Sequence, residues 1–397
     1  MKAASRSKGI AFLLSAAILV CFIGANPRTA GAADPIVIGT TVSQSGAYAD
    51  VGKYALQGYE LYVKQTNAKG GWLGRQLQLK VYDDASDPAT SVTEYQKLVQ
   101  QDHVNLIVGP YSSAITAAVA NIADQYKMPM ISPEVAAVDP FKRNLKYIFQ
   151  GTATSDRYVY GAIQIAKQNG YKTIALTGED TAFPRSIAKA VPDMAAAAGL
   201  KVVFNELYPH NASDYTAIVQ KIKQTNPDVV LAISYFPDSV GIIRALKQAS
   251  VTPKELFFTI GPADPNFAKE VGADSQGVLF ANNWSAELKT QGNVAFAKAF
   301  KAEFGIEPDY HSAQNYAAMQ VLGAAIASVK SLDNDKLRDY MATHEVDTVC
   351  GTYHVDSTGM QTGYDSLTDQ WQGGKQLVVY PSKWAQTKLI TPYSWAK

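Results

Sequence analysis

The stretch LIVGPYSSAITAAVA, Leu106 to Ala120, gathers the groups in this 397-residue chain best suited to hold a ligand. An apolar run of strand length stops at Gly109-Pro110, presents Tyr111, Ser112 and Ser113, and passes into an alanine-rich helical pattern. The first N–H groups of a helix have no intrahelical acceptor and lie at the positive end of its dipole. Hydroxyls at that junction therefore make an anion site. Bond-making chemistry has little support. There is no G-x-S-x-G elbow, no G-x-x-x-x-G-K-[ST] loop and no H-E-x-x-H helix. GGWLGR, Gly70 to Arg75, is a glycine turn without phosphate-cradling spacing. The histidines, His103, His210, His311, His344 and His354, have no cysteine or carboxylate at ligand spacing and read as surface or internally satisfied side chains. The sequence predicts binding rather than catalysis, with no metal and no cofactor.

The elements that must position this junction alternate along almost the whole chain. PIVIGTTV, LQLKVYDD, NLIVG, MPMIS, TIALTG, KVVFNEL, DVVLAIS, LFFTIG and GVLFANN read as strands. Between them the spacing predicts helices over 52–66, 89–101, 113–125, 158–168, 185–198, 215–225 and 239–249. Strands apolar on both faces belong to parallel sheets covered by helices, so the class is α/β. So many elements need two sheets. Later, NVAFAKAFKAEFG and YHSAQNYAAMQVLGAAIASVKSL read as helices, TVCGTYHVD as one strand holding a buried Cys350, and LTDQWQGGKQLVVYP as a hairpin turning at Gly373-Gly374. No low-complexity linker divides the chain, so two lobes would require it to cross between them more than once. Ligands of open α/β sheets sit beyond the carboxyl ends of strands. Here those ends read VSQSGAY, VGPYSSA, ISPEVAAV, TGEDTAFPR, SYFPDS and IGPADP, rich in hydroxyls and aromatics.

The N-terminus reads as a leader. Lys2, Arg6 and Lys8 precede GIAFLLSAAILVCFIGA, and small residues follow, so a secretory signal peptide over 1–32, cleaved after Ala32, is expected; a retained anchor is the rival. Removing its four basic residues takes the formal charge from +1 to −3, leaving no basic patch for nucleic acid. Cys21 goes with the leader, and Cys350 alone cannot form an internal disulfide.

The motifs IVIGTTVSQSGAYADVG, NAKGGWLGRQLQLKVYDDASDP, IVGPYSSA, MISP, DTAFPR, SYFPDSVGIIRALKQ and GVLFAN, in that order, resemble the periplasmic solute-binding proteins of branched-chain amino-acid-type ABC importers. The similarity spans about residue 34 to the C-terminus. It implies a two-lobed type I periplasmic-binding fold, with two open, mostly parallel sheets flanked by helices and joined by a three-segment hinge. The lobes would be 34–151 plus 282–361 and 152–281 plus 362–397. It implies a periplasmic, monomeric protein that captures a small carboxylate ligand by jaw closure and delivers it to an inner-membrane ABC permease. A sensory ectodomain on the same fold is the alternative of another class.

Carried across position by position, the resemblance puts the carboxylate-binding serine on Ser113, beside Tyr111 and Ser112, and the backbone contact after ISP on Glu134. The covering aromatic falls on Tyr235, and the tyrosine of the family's D-x-A-Y-G loop on Phe183. Tyr48 and Phe236 add flat apolar surface. A cysteine pair of some members falls on Ser86 and Ser112. The ammonium-binding threonine and glutamate fall on Ala136 and Ala263, so the ammonium clamp is missing. A carboxylate without an α-amino group, aromatic or otherwise apolar, is the expected ligand. A branched-chain-type amino acid stays open if Glu134 or Asp264 supplies the anion, and Arg157 or Arg185 is a candidate grip for a second anionic group.

Overall fold

The computed structural model describes residues 34–396, together with Met1 and Ala4; the expected leader, 1–32 with Cys21, otherwise lies outside the described residues. The chain opens with β1 (Ile36–Val42), α1 (Ala49–Ala68), β2 (Leu77–Asp83), α2 (Pro88–Gln100), β3 (Leu106–Ile107), α3 (Ser113–Gln125), β4 (Met130–Ser132) and β5 (Ile148–Gln150). It continues with α4 (Ser155–Gln168), β6 (Thr173–Glu179), α5 (Ala182–Ala197), β7 (Lys201–Tyr208), α6 (Thr216–Thr225), β8 (Val229–Ile233), α7 (Phe236–Gln248), β9 (Glu255–Phe258), α8 (Phe267–Val271) and β10 (Leu279–Asn282). The last part holds α9 (Asn293–Phe304), α10 (Tyr310–Val329), α11 (Asn334–Thr343), β11 (Val346–Thr348), β12 (Gly351–Tyr353), β13 (Leu367–Gln372) and β14 (Lys375–Tyr380).

The strands fall into two layers. In the first, β2-β1-β3 is parallel, β4 pairs with β5 in parallel, and the Gly109 N–H donates to the Ile131 carbonyl at 2.9 Å, carrying the backbone bonding on from β3 to β4. The second is a seven-stranded sheet, β14-β13-β10-β9-β8-β6-β7, parallel through β7, β6, β8, β9 and β10 and closed by the antiparallel β13 and β14. Strands β8 and β9 are buried along their whole lengths, as strands between two helical layers must be. The chain passes between the layers three times: after β5, after β10 and before β13. These passages are tied together. Gln361 N–H donates to Gln150 Oε1 (3.1 Å), and the Tyr364 hydroxyl donates to the Gly151 carbonyl (2.5 Å).

Three differences from the sequence reading have physical causes. Helices α1, α4, α5 and α7 each begin three residues earlier than the apolar period suggests. The first residues of α4, α5 and α7, Ser155-Asp156-Arg157, Ala182-Phe183-Pro184 and Phe236-Pro237-Asp238, mix polar residues and proline into the pattern and hide its apolar period; Phe183 and Phe236 lie on those turns. TVCGTYHVD is not one strand but the hairpin β11–β12, with Cys350 buried in its turn. The Thr348 hydroxyl accepts the Cys350 N–H (3.2 Å) and donates to the Gly351 carbonyl (2.7 Å), giving the backbone a turn in place of a ladder. Strand β5 and helices α8 and α11 are absent from the sequence reading; β5 and α8 are short, three and five residues, and α11 is capped by Asp333, whose carboxylate accepts the Lys336 N–H at 3.1 Å.

Helix α10 is buried nearly all round and runs against α1. Their approach is limited by Gly58, where a Cβ would stand 2.2 Å from the Ser312 carbonyl oxygen. Gly58→Ala must push the helices apart, costing about 1–3 kcal/mol. A thermal melt should show Tm lowered by several degrees; an unchanged Tm would mean that α10 is not held where the site needs it.

Candidate functional site

Helix α3 starts at the end of β3 on a backbone twisted for the purpose. Ser112 holds φ 73° and ψ 148°, a strained conformation for a residue with a Cβ, and its hydroxyl caps the Ile115 N–H at 3.3 Å. The N–H groups of Ser113 and Ala114 find no backbone acceptor. The Ser113 hydroxyl oxygen accepts the Ala136 and Ala137 N–H groups (3.1 and 3.0 Å). Its own proton is therefore free to be donated at the positive end of α3.

Opposite stands a neutralised acid. Glu134, in the loop after β4, is buried with His311 of α10, their side chains 2% and 3% exposed. His311 Nδ1 donates to Glu134 Oε2 and Asn315 Nδ2 donates to Glu134 Oε1. Burial alone would drive the imidazole toward its neutral form. The charges of Glu134, Asp309 and Asp264 outweigh that, and its pKa lies above the ordinary value. Asp309, which caps α10, is pushed by burial up to about 6, and Asp264 is also raised by burial.

Aromatic rings close the space from both layers. Tyr48 packs on Tyr111 and Tyr235 with centroids 5.2 and 5.1 Å apart; Phe183 packs on Tyr158 (5.2 Å) and Tyr235 (6.2 Å). One chamber is lined by Tyr111, Ser112, Ser113, Glu134, Ala136, Tyr158, Phe183, Tyr235, Ile260, Tyr310 and Gln314. Its free space is about 10 Å³, room for roughly one water, so admitting a ligand requires the walls to part. Beyond Tyr111, Tyr235 and Ile260 lies a second space of about 20 Å³, lined also by Tyr48, Phe236, Asp264 and His311.

Seven sequence-selected residues thus meet in the first chamber, and Tyr48, Phe236 and Asp264 join Tyr111 and Tyr235 at the second. Ala263 lines neither; it sits buried in a turn, its carbonyl accepting from Gln376 Nε2 at 2.9 Å. Arg157 and Arg185 are also outside, exposed and facing Asp365 (3.6 Å) and Asp180 (2.6 Å), so neither grips a ligand group in the chambers. Of the histidines, His311 is the buried, satisfied one. Sequence reasoning missed Tyr158, Tyr310, Gln314 and Asn315. The signal was YHSAQNY, whose polar residues interrupt a helix otherwise apolar on every face. Among the described residues, no three His, Cys, Asp or Glu gather in a way that would hold a metal ion, and no helix is long and apolar enough to cross a membrane.

Comparison with known proteins agrees with this architecture. The chain matches the family model described as periplasmic binding protein over residues 35–375. It is 28% identical over 406 aligned residues to Leu/Ile/Val-binding protein homolog 8 of Brucella suis biovar 1 (strain 1330), covering 95% of this chain and 98% of that one. A leucine binding protein from Thermotoga maritima superposes with a TM-score of 0.80 at 19% identity, over 87% of this chain and 97% of that one. An ABC transporter solute binding protein from R. palustris, solved in complex with benzoate, superposes with a TM-score of 0.77 at 21% identity, over 87% and 95%. At these identities the structural likeness speaks for the fold, an α/β type I periplasmic-binding fold.

The buried imidazole makes stability depend on pH with a definite sign. A pKa raised on folding means that the folded chain keeps a proton the unfolded chain sheds. The stabilisation is full below about pH 6.5 and fades as pH rises through the higher folded value. His311→Asn should lower Tm by roughly 5 °C or more, since it strands Glu134 without its counter-charge. It should also flatten the fall in Tm above pH 6.5 relative to the wild type. Parallel Tm–pH curves for the two proteins would show that the imidazole is not charged in the fold.

Proposed function

The chain belongs to the periplasmic binding protein family, and we propose that it is the solute-capturing component of an ABC importer whose ligand is an aromatic or similarly apolar carboxylic acid. The ligand carboxylate sits at the start of α3, accepting hydrogen bonds from the Ser113 hydroxyl and from the free N–H groups of Ser113 and Ala114. Tyr111, Tyr158, Phe183, Tyr235 and Tyr310 supply flat faces for the apolar body. The observation that carries the reading is the state of Glu134. The carboxylate that lines the chamber beside Ala136 is already taken by His311 and Asn315, and Ala136 offers no side-chain acceptor. An ammonium in the chamber would be a buried charge without a partner, a cost of about 2–5 kcal/mol.

The lobes in this account are 34–151 plus 282–361 and 152–281 plus 362–397, opening at the three passages and closing over the ligand because it binds the closed arrangement better. A leader over 1–32 sends the chain to the periplasm, where the closed form, acting as a monomer, docks on an inner-membrane permease. No bond is made or broken and no cofactor takes part.

One observation favours a second reading. Asp264 lines the adjoining space, and its hydrogen bond comes from the Asn266 N–H (2.6 Å), so a displaced ligand could set an ammonium against it. A branched-chain-type amino acid would then bind, and Asp264→Asn would abolish it.

The test is a thermal-shift screen of residues 33–397 against benzoate, hydroxybenzoates and L-leucine. A ligand at a hundred times its Kd adds about 2.7 kcal/mol and moves the melt by degrees. Shifts with the aromatic acids but not leucine are expected. Ser113→Ala should then weaken the responding acid ten- to a hundredfold by calorimetry, the loss of a charge-assisted hydrogen bond. A shift with leucine alone would overturn the aromatic reading.

A further inference from the structure

Two residues lining the chamber, Tyr111 and Gln314, each bury a polar atom that has no hydrogen-bond partner among the described residues: the Tyr111 hydroxyl and Gln314 Oε1. Gln314, on the second turn of α10, is fully buried and lines the chamber. Its amide is turned by a chain of hydrogen bonds leading away from the ligand space. Gln314 Nε2 donates to Thr152 Oγ1 (2.7 Å), Thr152 Oγ1 meets the Tyr158 hydroxyl (3.2 Å), and Tyr158 receives Asn283 Nδ2 (2.5 Å). The chain runs into the passages between the layers, where Thr152 and Asn283 sit. Among the described residues Gln314 Oε1 has no partner, and it is shut off from solvent. A buried acceptor with no donor costs about 1–3 kcal/mol, a cost that a ligand bringing a donor would remove.

We propose that Gln314 Oε1 accepts a hydrogen bond from a neutral hydroxyl on the ligand, so that the site selects hydroxylated aromatic acids over the bare ring acid. The inference rests on the aromatic-carboxylate reading and adds to it a specificity residue. A carbonyl oxygen can only accept, so the partner that Oε1 lacks must be a donor on the ligand. An ether or halogen at the same place would leave the acceptor unpaired. One neutral amide oxygen suits a phenol's single O–H, whereas an ammonium brings three donors and a charge that one neutral oxygen does not meet. Discrimination comes from the mismatch: a site built to bind a hydroxyl is left with an unsatisfied polar atom by the analogue lacking it.

Calorimetry with benzoate, its three monohydroxy isomers and L-leucine tests this on the wild type and on Gln314→Met, which keeps the length and removes the acceptor. At least one hydroxybenzoate should bind the wild type about tenfold or more tighter than benzoate. Gln314→Met should erase that preference, bringing benzoate and the hydroxybenzoates to within about twofold of one another, and a cooperative thermal melt shows that the variant is folded. Equal affinity of the wild type for benzoate and every hydroxybenzoate overturns the inference and leaves the aromatic reading standing, as does a preference that survives in Gln314→Met. Binding of leucine with no aromatic acid bound overturns both.

Discussion

A carboxylate inside the wall of a closed chamber must have its charge met, and the way Glu134 meets this demand shapes everything around it. His311 and Asn315, one helical turn apart on α10, take its two oxygens. Leaving that acid unpaired would cost several kcal/mol, so α10 must enter the chamber wall with its polar first turns in register. This in turn fixes α1, which approaches α10 closely enough that only glycine fits at position 58. It also fixes what the chamber offers a ligand: an acid that is spent, an open helix start at Ser113, and aromatic faces.

The same arrangement explains how a binding site is made from loops without being loose. The Ser113 hydroxyl ties the α3 start to the loop that carries Ala136. The Gln150 amide donates to the Val135 carbonyl of that loop (2.7 Å) and its oxygen accepts from Gln361, so a passage between the layers and the chamber floor share one side chain. Tyr111 packs on Tyr48, and Tyr48 packs on Tyr235, which joins the first layer to the second. Parting the layers to admit a ligand therefore breaks ring contacts, which a flat apolar ligand can replace on closure.

Much of this was legible in the sequence, and the rest was not for definable reasons. Continuous apolar strands and the order of elements gave the α/β class. The strand-to-helix junction exposed Ser112 and Ser113, and loop motifs brought Tyr111, Glu134, Ala136, Phe183 and Tyr235 to the same wall. Short-range pattern failed where side chains take over from periodicity: at the first turns of α4, α5 and α7, and at the Thr348 turn that splits a supposed strand. It failed for Ala263, because a glycine-proline pair fixes a turn without saying which way that turn faces. It also failed for the partners of Glu134. They lie about 180 positions away, and nothing local to YHSAQNY says which acid its histidine will meet.

The central claim is that the ligand is held as a carboxylate at the start of α3 while Glu134 stays with His311. A crystal structure of the protein grown with the best-binding benzoate tests it most directly. The ligand carboxylate should lie within hydrogen-bonding distance of the Ser113 hydroxyl and the first α3 N–H groups, with the ring among the tyrosines and the Glu134–His311–Asn315 contacts intact. A carboxylate bound elsewhere, or Glu134 released from His311 to touch the ligand, would contradict it.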